Sequence, residues 1–523
     1  MTEDINRYSY LTPKDLDQLR ERGITPEMVE KQLSILRDRI YYPTLKASAS
    51  TQHGIFSINE KEIPRYLSIW DKYRTSEQAN IVKFVPASGA ATRMFQDLFP
   101  LLKGEEKLSR DNLTPEQQKF FDNIEHFAFF PLLSESCLRN EWSSVHKLIE
   151  IGKYKAICEQ LLTERGLNYA HTPKGLIPFH KYPYGQVRTA TEEHLAEGAY
   201  YTKSQDGEVK VHFTVADNAE ESFRAHIDKI KSKIEENFGV ILDVDFSVQS
   251  HATDTVALDE NGDIFRDEKG NILFRPGGHG SLIGNLGSIN ADIVFIKNID
   301  NVTLDFLKSD TIRYKKLIGG ILIAVRKTIF DFLDIIDKGK VSRQQIESML
   351  SFMREVLLID IPQQQFSDER QIIETIHTKL NRPLRVCGMV PNENEPGGGP
   401  FILLEPDGTT SLQILEKSQL DPHDEHSQAI LERSRYFNPV DLVCSIRDYK
   451  GRFFHLEDYV SPRANFLSRK SYKGKLLLAL EHPGLWNGAM DRWNTIFVSV
   501  PSSTFSPVKT CNDLLRPEHL RLT

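Results

Sequence analysis

The sequence predicts an α/β protein built around a layered sheet. Short apolar runs alternate with longer segments whose apolar residues recur at helical spacing. The strand-like runs are IVKFVPA, VKVHFTVA, ILDVDFSVQ, ADIVFIKNID and LRVCGMV, and the clearest helical runs are AEESFRAHIDKIKSKIEENF and KKLIGGILIAVRKTIFDFLDIID. Strands that alternate with helices favour a sheet covered by helices over an all-helical or all-strand fold.

The N-terminal segment is predicted to be mostly helical. LTPKDLDQLRERG and ITPEMVEKQLSILRDRI each begin with Thr-Pro and continue with apolar residues at helical spacing. Proline suits the first helical position because it lacks the N–H that would be unsatisfied there. We therefore predict an N-terminal helical segment over residues 1–80.

A helical insertion is predicted to follow the first strand of the sheet. ATRMFQDLFPLLK has the pattern of a helix directly after IVKFVPA, and residues 112–165 indicate further helices. The predicted organisation is the helical segment 1–80, a core over 81–460 with an insertion at about 105–168, and a C-terminal segment 461–523.

Composition and charge narrow the class of protein. The chain has 523 residues, of which 40% are hydrophobic and 26% charged, with a net charge of −8. This balance favours neither a nucleic-acid partner nor a membrane, and the longest apolar run, LIGGILIAV, is too short to span a bilayer. The five cysteines form no CxxC pair, and the N-terminus lacks a signal-peptide pattern, so we expect a soluble cytoplasmic protein. The oligomeric state is left open.

The turn Val85–Met94, VPASGAATRM, is the first candidate binding element. Small residues at a strand-to-helix turn let a ligand approach the backbone N–H groups, and Arg93 adds a guanidinium that suits phosphate. The same small residues would also permit tight contact between helix and sheet. The residues alone leave both interpretations open, and the turn matches neither a Walker loop nor a dinucleotide fingerprint.

Two more stretches carry charged candidates. Lys174 lies between a proline and the apolar run of TPKGLIPF, where it is either a phosphate ligand or an ordinary loop lysine. Asp300 follows the buried strand of ADIVFIKNIDN. A carboxylate at the end of a strand is well placed for Mg²⁺, which accepts one or two carboxylates together with phosphate oxygens, although Asn and Asp also favour plain turns.

Taken in order, the motifs resemble one family, the sugar-nucleotide pyrophosphorylases, and within it the UTP–glucose-1-phosphate and UDP-N-acetylhexosamine enzymes. PASGAATRM resembles their GGxGTRM loop, PKGLIPF resembles PKALIPF, and FIKNIDN resembles their NxDN strand. FSVQS, PGGHGSL, YFNPVDLV and FSPVKTCNDLL are similar to further motifs of these enzymes, and the order holds from residue 85 to 515. The resemblance is also compatible with a bacterial domain-of-unknown-function family inside this superfamily. It implies a Rossmann-like mixed sheet of glycosyltransferase-A or nucleotidyltransferase type.

The resemblance also implies a reaction and the residues that carry it. An oxygen of a sugar-1-phosphate would attack the α-phosphorus of a nucleoside triphosphate, UTP by resemblance, and pyrophosphate would leave. Mg²⁺ is the implied cofactor, and NTP and sugar-1-phosphate are the implied partners. The implied catalytic residues are Arg93, Lys174 and Lys509; those near the nucleotide are Gly89, Ala90, Gln249, Gly278 and His279; those near the sugar are Glu395 and Asn438; and the metal ligand is Asp300.

The chain departs from the family pattern at several points. Ala91 replaces a loop glycine, about 80 residues separate the loop from Lys174, and Val440 and Asp441 replace a pair of asparagines near the sugar. Two alternatives therefore stay open: a non-catalytic protein that binds nucleotide or sugar phosphate, and an NDP-sugar-dependent glycosyltransferase of the same fold.

Overall fold

A computed structural model describes residues 8, 10–37, 41–89, 91–362, 368–393, 397–461 and 464–521. The chain divides into two compact units. The first unit comprises Met1–Pro64, Gln249–Ile293 and Ile321–Ser499. The second unit comprises Arg65–Val248, Val294–Gly320 and Val500–Thr523.

The helices and strands alternate most regularly over residues 187–337. The helices are α1 Pro13–Arg22, α2 Pro26–Arg37, α3 Ile63–Arg74, α4 Phe99–Leu102, α5 Pro115–Asp122, α6 Phe130–Glu141, α7 Val145–Glu150, α8 Tyr154–Leu162, α9 Ala190–Tyr201, α10 Glu220–Phe238, α11 Leu282–Gly287, α12 Lys308–Asp337, α13 Arg343–Val356, α14 Glu369–Leu380 and α15 Glu425–Glu432. The strands are β1 Leu45–Ser48, β2 Ile55–Phe56, β3 Ile81–Pro86, β4 Pro178–Lys181, β5 Val187–Thr189, β6 Glu208–Val215, β7 Ile241–Val248, β8 Ala257–Leu258, β9 Ile293–Lys297, β10 Leu384–Pro391, β11 Gly399–Leu404, β12 Thr410–Leu415, β13 Tyr436–Phe437, β14 Asp441–Ser445, β15 Phe466–Tyr472, β16 Lys475–Glu481 and β17 Asn494–Ser499.

The second unit holds strands in the order β9–β3–β6–β7, and β6 is parallel to both β3 and β7. Every residue of β9 and the first five of β3 are buried, which explains their nearly continuous apolar sequences. Helix α10 presents Phe223, Ile227 and Ile230 to the apolar core that also contains Phe213 of β6.

The helical insertion shares this core. The insertion contains α5 to α8, and its residues Phe120, Phe127 and Phe129 belong to the same buried apolar cluster as Val85 and Phe213. Phe127 and Phe129 stack with ring centroids 5.0 Å apart. The helices of the insertion therefore form part of the core of the second unit.

The structure corrects one predicted helix. The run ATRMFQDLFPLLK forms two separate 3₁₀ turns, Ala91–Arg93 and Gln96–Leu98, followed by the single turn of α4. Pro100 stands within this run and cannot donate the backbone hydrogen bond that a helix continuing through it would need. The turn Val85–Met94 consequently does not open into a long helix whose dipole could contribute to anion binding.

The first unit contains a sheet of both parallel and antiparallel strands. The order is β2–β17–β10–β14; β17 is parallel to β10 and β2, whereas β14 is antiparallel to β10. Two three-stranded sheets, β1–β11–β12 and β15–β16–β8, complete the unit. The predicted helical segment 1–80 accordingly contains two short strands besides α1, α2 and α3. The α/β class with a mixed sheet is confirmed.

Membrane-spanning helices are absent from the described ranges. Not one of the helices there combines the length and the apolar character that crossing a bilayer requires.

Candidate functional site

Lys174 and Asp300 lie together in the second unit, although 126 positions separate them. The Lys174 Nζ donates to Asp300 Oδ2 at 2.8 Å, and both side chains are mostly shielded from solvent. Gly175 follows Lys174 at a point where an added Cβ would come within 2.9 Å of Thr191 Oγ1, so the chain can approach α9 only because this residue is glycine. The segment that carries Lys174 is thus held directly against α9.

The turn that follows β3 is bonded to the segment that precedes Lys174. The amide of Lys174 donates to the carbonyl of Gly89 at 3.2 Å, and the amide of Ala91 donates to the carbonyl of Thr172 at 3.3 Å. Ala91 is buried within a 3₁₀ turn and does not adopt a positive φ, so this alanine carries no backbone strain. A Cβ added to Gly89 would meet no atom within 4 Å, which leaves open space beside the turn.

Arg93 faces solvent at the end of this turn. Within the described part of the chain, its guanidinium makes no ion pair. An exposed arginine next to a turn with open space is available to a ligand in a way that a paired arginine is not. The predicted contact of Arg93 with phosphate remains a prediction.

The C-terminal motif meets the same region. The amide of Val508 donates to the carbonyl of Asp300 at 3.1 Å, and the amide of Cys511 donates to the carbonyl of Met94 at 2.8 Å. Asn301 Oδ1 accepts a hydrogen bond from the amide of Ser506. Lys509 is therefore held, by the residues around it, between the turn after β9 and the turn after β3, and its side chain is exposed.

The side chains near Asp300 determine what kind of metal ion could bind at the predicted magnesium site. Across the described ranges there is no group of three or more His, Cys, Asp or Glu side chains that could hold a metal ion. Asp300 offers a single, partly exposed carboxylate. This fits a Mg²⁺ ion that takes one protein carboxylate and completes its octahedron with phosphate oxygens and water, and it does not fit a metal held by protein side chains alone.

His194 of α9 supports the turn that carries Asp300. Its Nε2 lies 3.1 Å from the carbonyl oxygen of Asn298 and 3.2 Å from that of Ile299. Because both partners are acceptors, this nitrogen carries the proton and the ring donates to them. Burial, together with the charge of nearby Lys83, holds the pKa of His194 well below its ordinary value, so the imidazole is neutral.

A buried ion network lies next to His194. Glu197 Oε2 accepts from Lys83 at 3.0 Å and Glu197 Oε1 accepts from Lys297 at 2.8 Å, with all three side chains almost completely buried. Lys83 also donates to the carbonyl of His194 at 2.8 Å. Burial lowers the pKa of Lys83 to about 7 despite Glu197. Burial alone would raise the pKa of Glu197, but the charges of Lys297 and Lys83 hold it well below its ordinary value.

The candidate residues predicted from the sequence do not include the members of this network. Its signal was nevertheless present, because Lys83 interrupts the apolar run IVKFVP and Lys297 ends IVFIK. A lysine in a strand that is otherwise buried needs a partner. The identity of that partner, Glu197, depends on how α9 lies on β3 and β9, which the local pattern does not reveal.

Gly278 and His279 belong to the first unit. The ring of His279 stacks on Trp486 at 4.4 Å, and its Nε2 lies 3.3 Å from Asn487 Oδ1. Burial lowers the pKa of His279. Gly278 has φ +77°, a conformation that favours glycine, and both residues line a cavity of about 920 Å³. Their predicted contacts with nucleotide remain predictions.

The side chain of Asn438 is engaged by the backbone around it. Its Nδ2 donates to the carbonyl of Gly388 at 3.1 Å, and its Oδ1 accepts from the amide of Val440 at 3.1 Å. Val440 has φ +59°, a conformation that is unusual for a residue other than glycine. The side chain of Asn438 therefore stabilises this turn, and its predicted contact with a sugar remains a prediction. Gln249 follows β7 and is partly exposed, whereas Ala90 and Glu395 lie outside the described residues.

A sequence model of one protein family matches residues 12–520, nearly the whole chain. The chain belongs to the family described as domain of unknown function DUF4301. No curated protein matches this DUF4301 chain.

Three solved structures illustrate what the DUF4301 chain is similar to. A mutant of UDP-glucose pyrophosphorylase from Leishmania major is 11% identical, with 97% of this chain and 79% of that chain covered and a TM-score of 0.45. The uridine diphosphate N-acetylglucosamine pyrophosphorylase from Trypanosoma brucei is 13% identical, with 96% and 74% covered and a TM-score of 0.45. A UDP-glucose phosphorylase from Trypanosoma brucei is 13% identical, with 96% and 77% covered and a TM-score of 0.42. At these values the likeness identifies neither a substrate nor the residues of a site.

Proposed function

We propose that this chain is a nucleotidyltransferase that joins a nucleoside monophosphate, UMP by the resemblance of its motifs, to a sugar-1-phosphate. The observation that carries the proposal is the convergence of Lys174, Asp300 and the Lys509 segment on the turn that follows β3. These residues come from distant parts of the sequence, and their charges are those that a triphosphate and its metal require.

The reaction would be an in-line displacement. An oxygen of the sugar phosphate forms a bond to the α-phosphorus of the nucleoside triphosphate, while the bond from that phosphorus to the oxygen bridging to the β-phosphorus breaks. Pyrophosphate leaves with the electron pair of that bond. The protein contributes little covalent chemistry to this reaction. It positions the reactants and stabilises the charge that develops on the phosphate oxygens.

The residues of the second unit would share that work. The turn at Gly89 would admit the phosphates to its backbone N–H groups, and Arg93 would hold the departing pyrophosphate. Lys174 would leave Asp300 to meet the phosphate oxygens, and Lys509 would bind the phosphate of the sugar. Asp300 would hold Mg²⁺, which when bound neutralises charge on the phosphate oxygens.

A pyrophosphate-release assay tests the proposal. Purified protein with Mg²⁺ is offered the four common NTPs and dTTP, each with a panel of sugar-1-phosphates. We expect release with a specific pair and its loss in Lys174→Ala. The matched control is Lys181→Ala, since Lys181 is exposed in the neighbouring strand β4. Nucleotide binding by calorimetry without release from any pair would reject the enzyme in favour of a non-catalytic binding protein.

A further inference from the structure

The cavity of about 920 Å³ in the first unit extends well beyond His279. The cavity runs along β12. His279 and Glu416 line it near the end of this strand, at Leu415, and a cluster of charged residues lines it near the start of the strand, at Thr410. Glu416 accepts from Asn487, which also contacts His279. Thr410 and Leu415 are five residues of strand apart, about 17 Å. Arg385 links the two ends of the cavity, because it donates to the carbonyl of Trp486, whose ring stacks on His279.

The charged cluster lies at the amino ends of two parallel strands. Arg382 precedes β10 by two positions, Asp491 and Arg492 precede β17, and Leu384 of β10 is in register with Asn494 of β17. Ligands of α/β sheets ordinarily bind at the carboxyl ends of the strands. This cluster is at the opposite end of β10 from the segment around Asn438, which contacts Gly388.

Positive charge prevails in the cluster. Arg385 is fully buried beneath it and donates to Thr495 Oγ1 at 2.9 Å, to the Trp486 carbonyl at 2.7 Å and to Gln413 Oε1 at 3.4 Å, all of them uncharged acceptors. Gln413 and Thr495 in turn line the cavity. A buried guanidinium without a carboxylate contact leaves its charge to act on the cavity.

The two guanidinium groups that line the cavity also lack carboxylate partners. Within the described ranges, neither Arg382 nor Arg492 makes an ion pair, and Arg382 Nε donates to the carbonyl of Thr378 at 3.2 Å. By contrast, Lys379 is paired with Asp407 at 2.6 Å and adds no net charge.

The acidic residues offset only part of this charge. Glu405 accepts from the hydroxyl of Ser411 at 2.5 Å. Burial raises the pKa of Asp491 to about 7, and the nearby charge of Glu405 contributes to the rise. Two guanidinium groups therefore line this end of the cavity and a third, that of Arg385, is buried beneath it, whereas the acidic side chains without an ion pair here, among the described residues, are only Glu405 and Asp491.

We propose that this end of the cavity is a second binding site, specific for a small organic oxyanion. The phosphate or carboxylate group lies between Arg382 and Arg492, where bidentate hydrogen bonds are available. The organic body lies along the apolar wall formed by Leu403, Leu412 and Ile359. Arg382 and Arg492 are not among the residues assigned to nucleotidyl transfer, although Gly278 and His279 line the same cavity, so the two arginines can be tested independently of that function.

Thermal unfolding of the full chain with orthophosphate or succinate tests the site, because a ligand that binds only the folded state raises the unfolding temperature. We expect a saturable rise with one or both anions. The effective anion distinguishes a phosphate site from a carboxylate site. Removing one guanidinium should weaken apparent affinity by about tenfold, the scale of one charge-assisted hydrogen bond.

The variants are Arg382→Gln and Arg492→Gln. Their matched control is Arg370→Gln, which removes the same charge from an exposed position on α14 outside the cavity. If Arg382→Gln fails to fold, Arg492→Gln decides, since Arg492 is exposed. The proposal is overturned if neither anion shifts the unfolding temperature, or if Arg370→Gln weakens binding as much as the cavity variants. Unchanged anion affinity in both cavity variants would also overturn the proposal, because the anion would then bind elsewhere in the chain.

Discussion

Lys174 and Asp300 form an ion pair of 2.8 Å between a 3₁₀ turn and the turn after β9. Each residue thereby neutralises the other in the absence of a substrate. A triphosphate with its metal would offer each a stronger partner, because phosphate oxygens attract the ammonium group and a divalent cation attracts the carboxylate. The pair is consistent with a site that is held in order before the ligand binds.

Lys174→Met should abolish pyrophosphate release while leaving the fold intact. The ion pair is mostly shielded from solvent and Asp300 would lose its partner, so the substitution should cost about 1–3 kcal/mol of folding free energy. Rates should fall by several orders of magnitude if the ammonium group stabilises the transition state. Steady-state kinetics and urea unfolding measure the two effects. A variant that retains a normal rate would remove Lys174 from the proposed mechanism.

His194→Ala should impair both stability and turnover. The substitution leaves the buried carbonyl of Ile299 without the donor it has in His194, at a cost of about 1–3 kcal/mol, while the carbonyl of Asn298 still accepts from the amide of Asn301. It also releases the backbone that places Asp300, so the Mg²⁺ concentration needed for half-maximal rate should rise. His194→Gln retains an N–H donor and should recover part of both losses. A stability loss with an unchanged Mg²⁺ requirement would limit His194 to a structural role.

Lys83 should make stability depend on pH in the alkaline range. Its folded pKa of about 7 lies below the ordinary value of 10.5, so between these values the unfolded state binds more protons. The free energy of unfolding should therefore rise with pH from 7 toward 10.5, by up to about 1.4 kcal/mol per pH unit from this group, and level off below 7. Lys83→Met should flatten that rise in guanidinium unfolding measured at pH 7 and 9.5. An identical slope in both proteins would contradict the lowered pKa.

Asp491 should have the opposite pH dependence. Its folded pKa of about 7 lies above the ordinary value of 3.8, so between these values the folded state binds more protons. The contribution of Asp491 to stability is fully present below pH 3.8 and is lost as pH rises through 7. Asp491→Asn, which cannot ionise, should be more stable than the natural protein at pH 8, and this advantage should shrink at pH 5. Unfolding curves at the two pH values check this, and an advantage that does not vary with pH would count against it.

Glu197→Gln should be the most damaging of these substitutions. Lys83 and Lys297 would share an uncharged amide in place of a carboxylate, and breaking a buried ion pair typically costs about 3–5 kcal/mol. The matched control is Glu192→Gln on the same helix, whose carboxylate caps the backbone at Thr189. Guanidinium unfolding should show a much larger loss for Glu197→Gln than for the control. Equal losses would mean that the buried lysines do not depend on Glu197.

Much of the secondary structure followed from local sequence. The strands β3, β6, β7, β9 and β10 coincide with strand-like runs that were recognisable in the sequence. β3, β9 and β10 are buried almost throughout and nearly continuous in apolar residues, whereas β7 is partly exposed and alternates apolar with polar residues. The long helices α10 and α12 likewise follow from helical spacing. The helix predicted after β3 was wrong because its apolar spacing was helical while Pro100 interrupted its hydrogen bonds.

The candidate site, like the secondary structure, could be predicted only in part from the sequence. The sequence by itself determined which residues have the chemistry for phosphate and metal, namely Arg93, Lys174, Asp300 and Lys509. Only the tertiary structure decided that Lys174 pairs with Asp300 and that the segment of Lys509 is bonded to the same turn. The physical reason is that these contacts join residues more than 100 positions apart, and such contacts depend on how whole elements pack rather than on any local pattern.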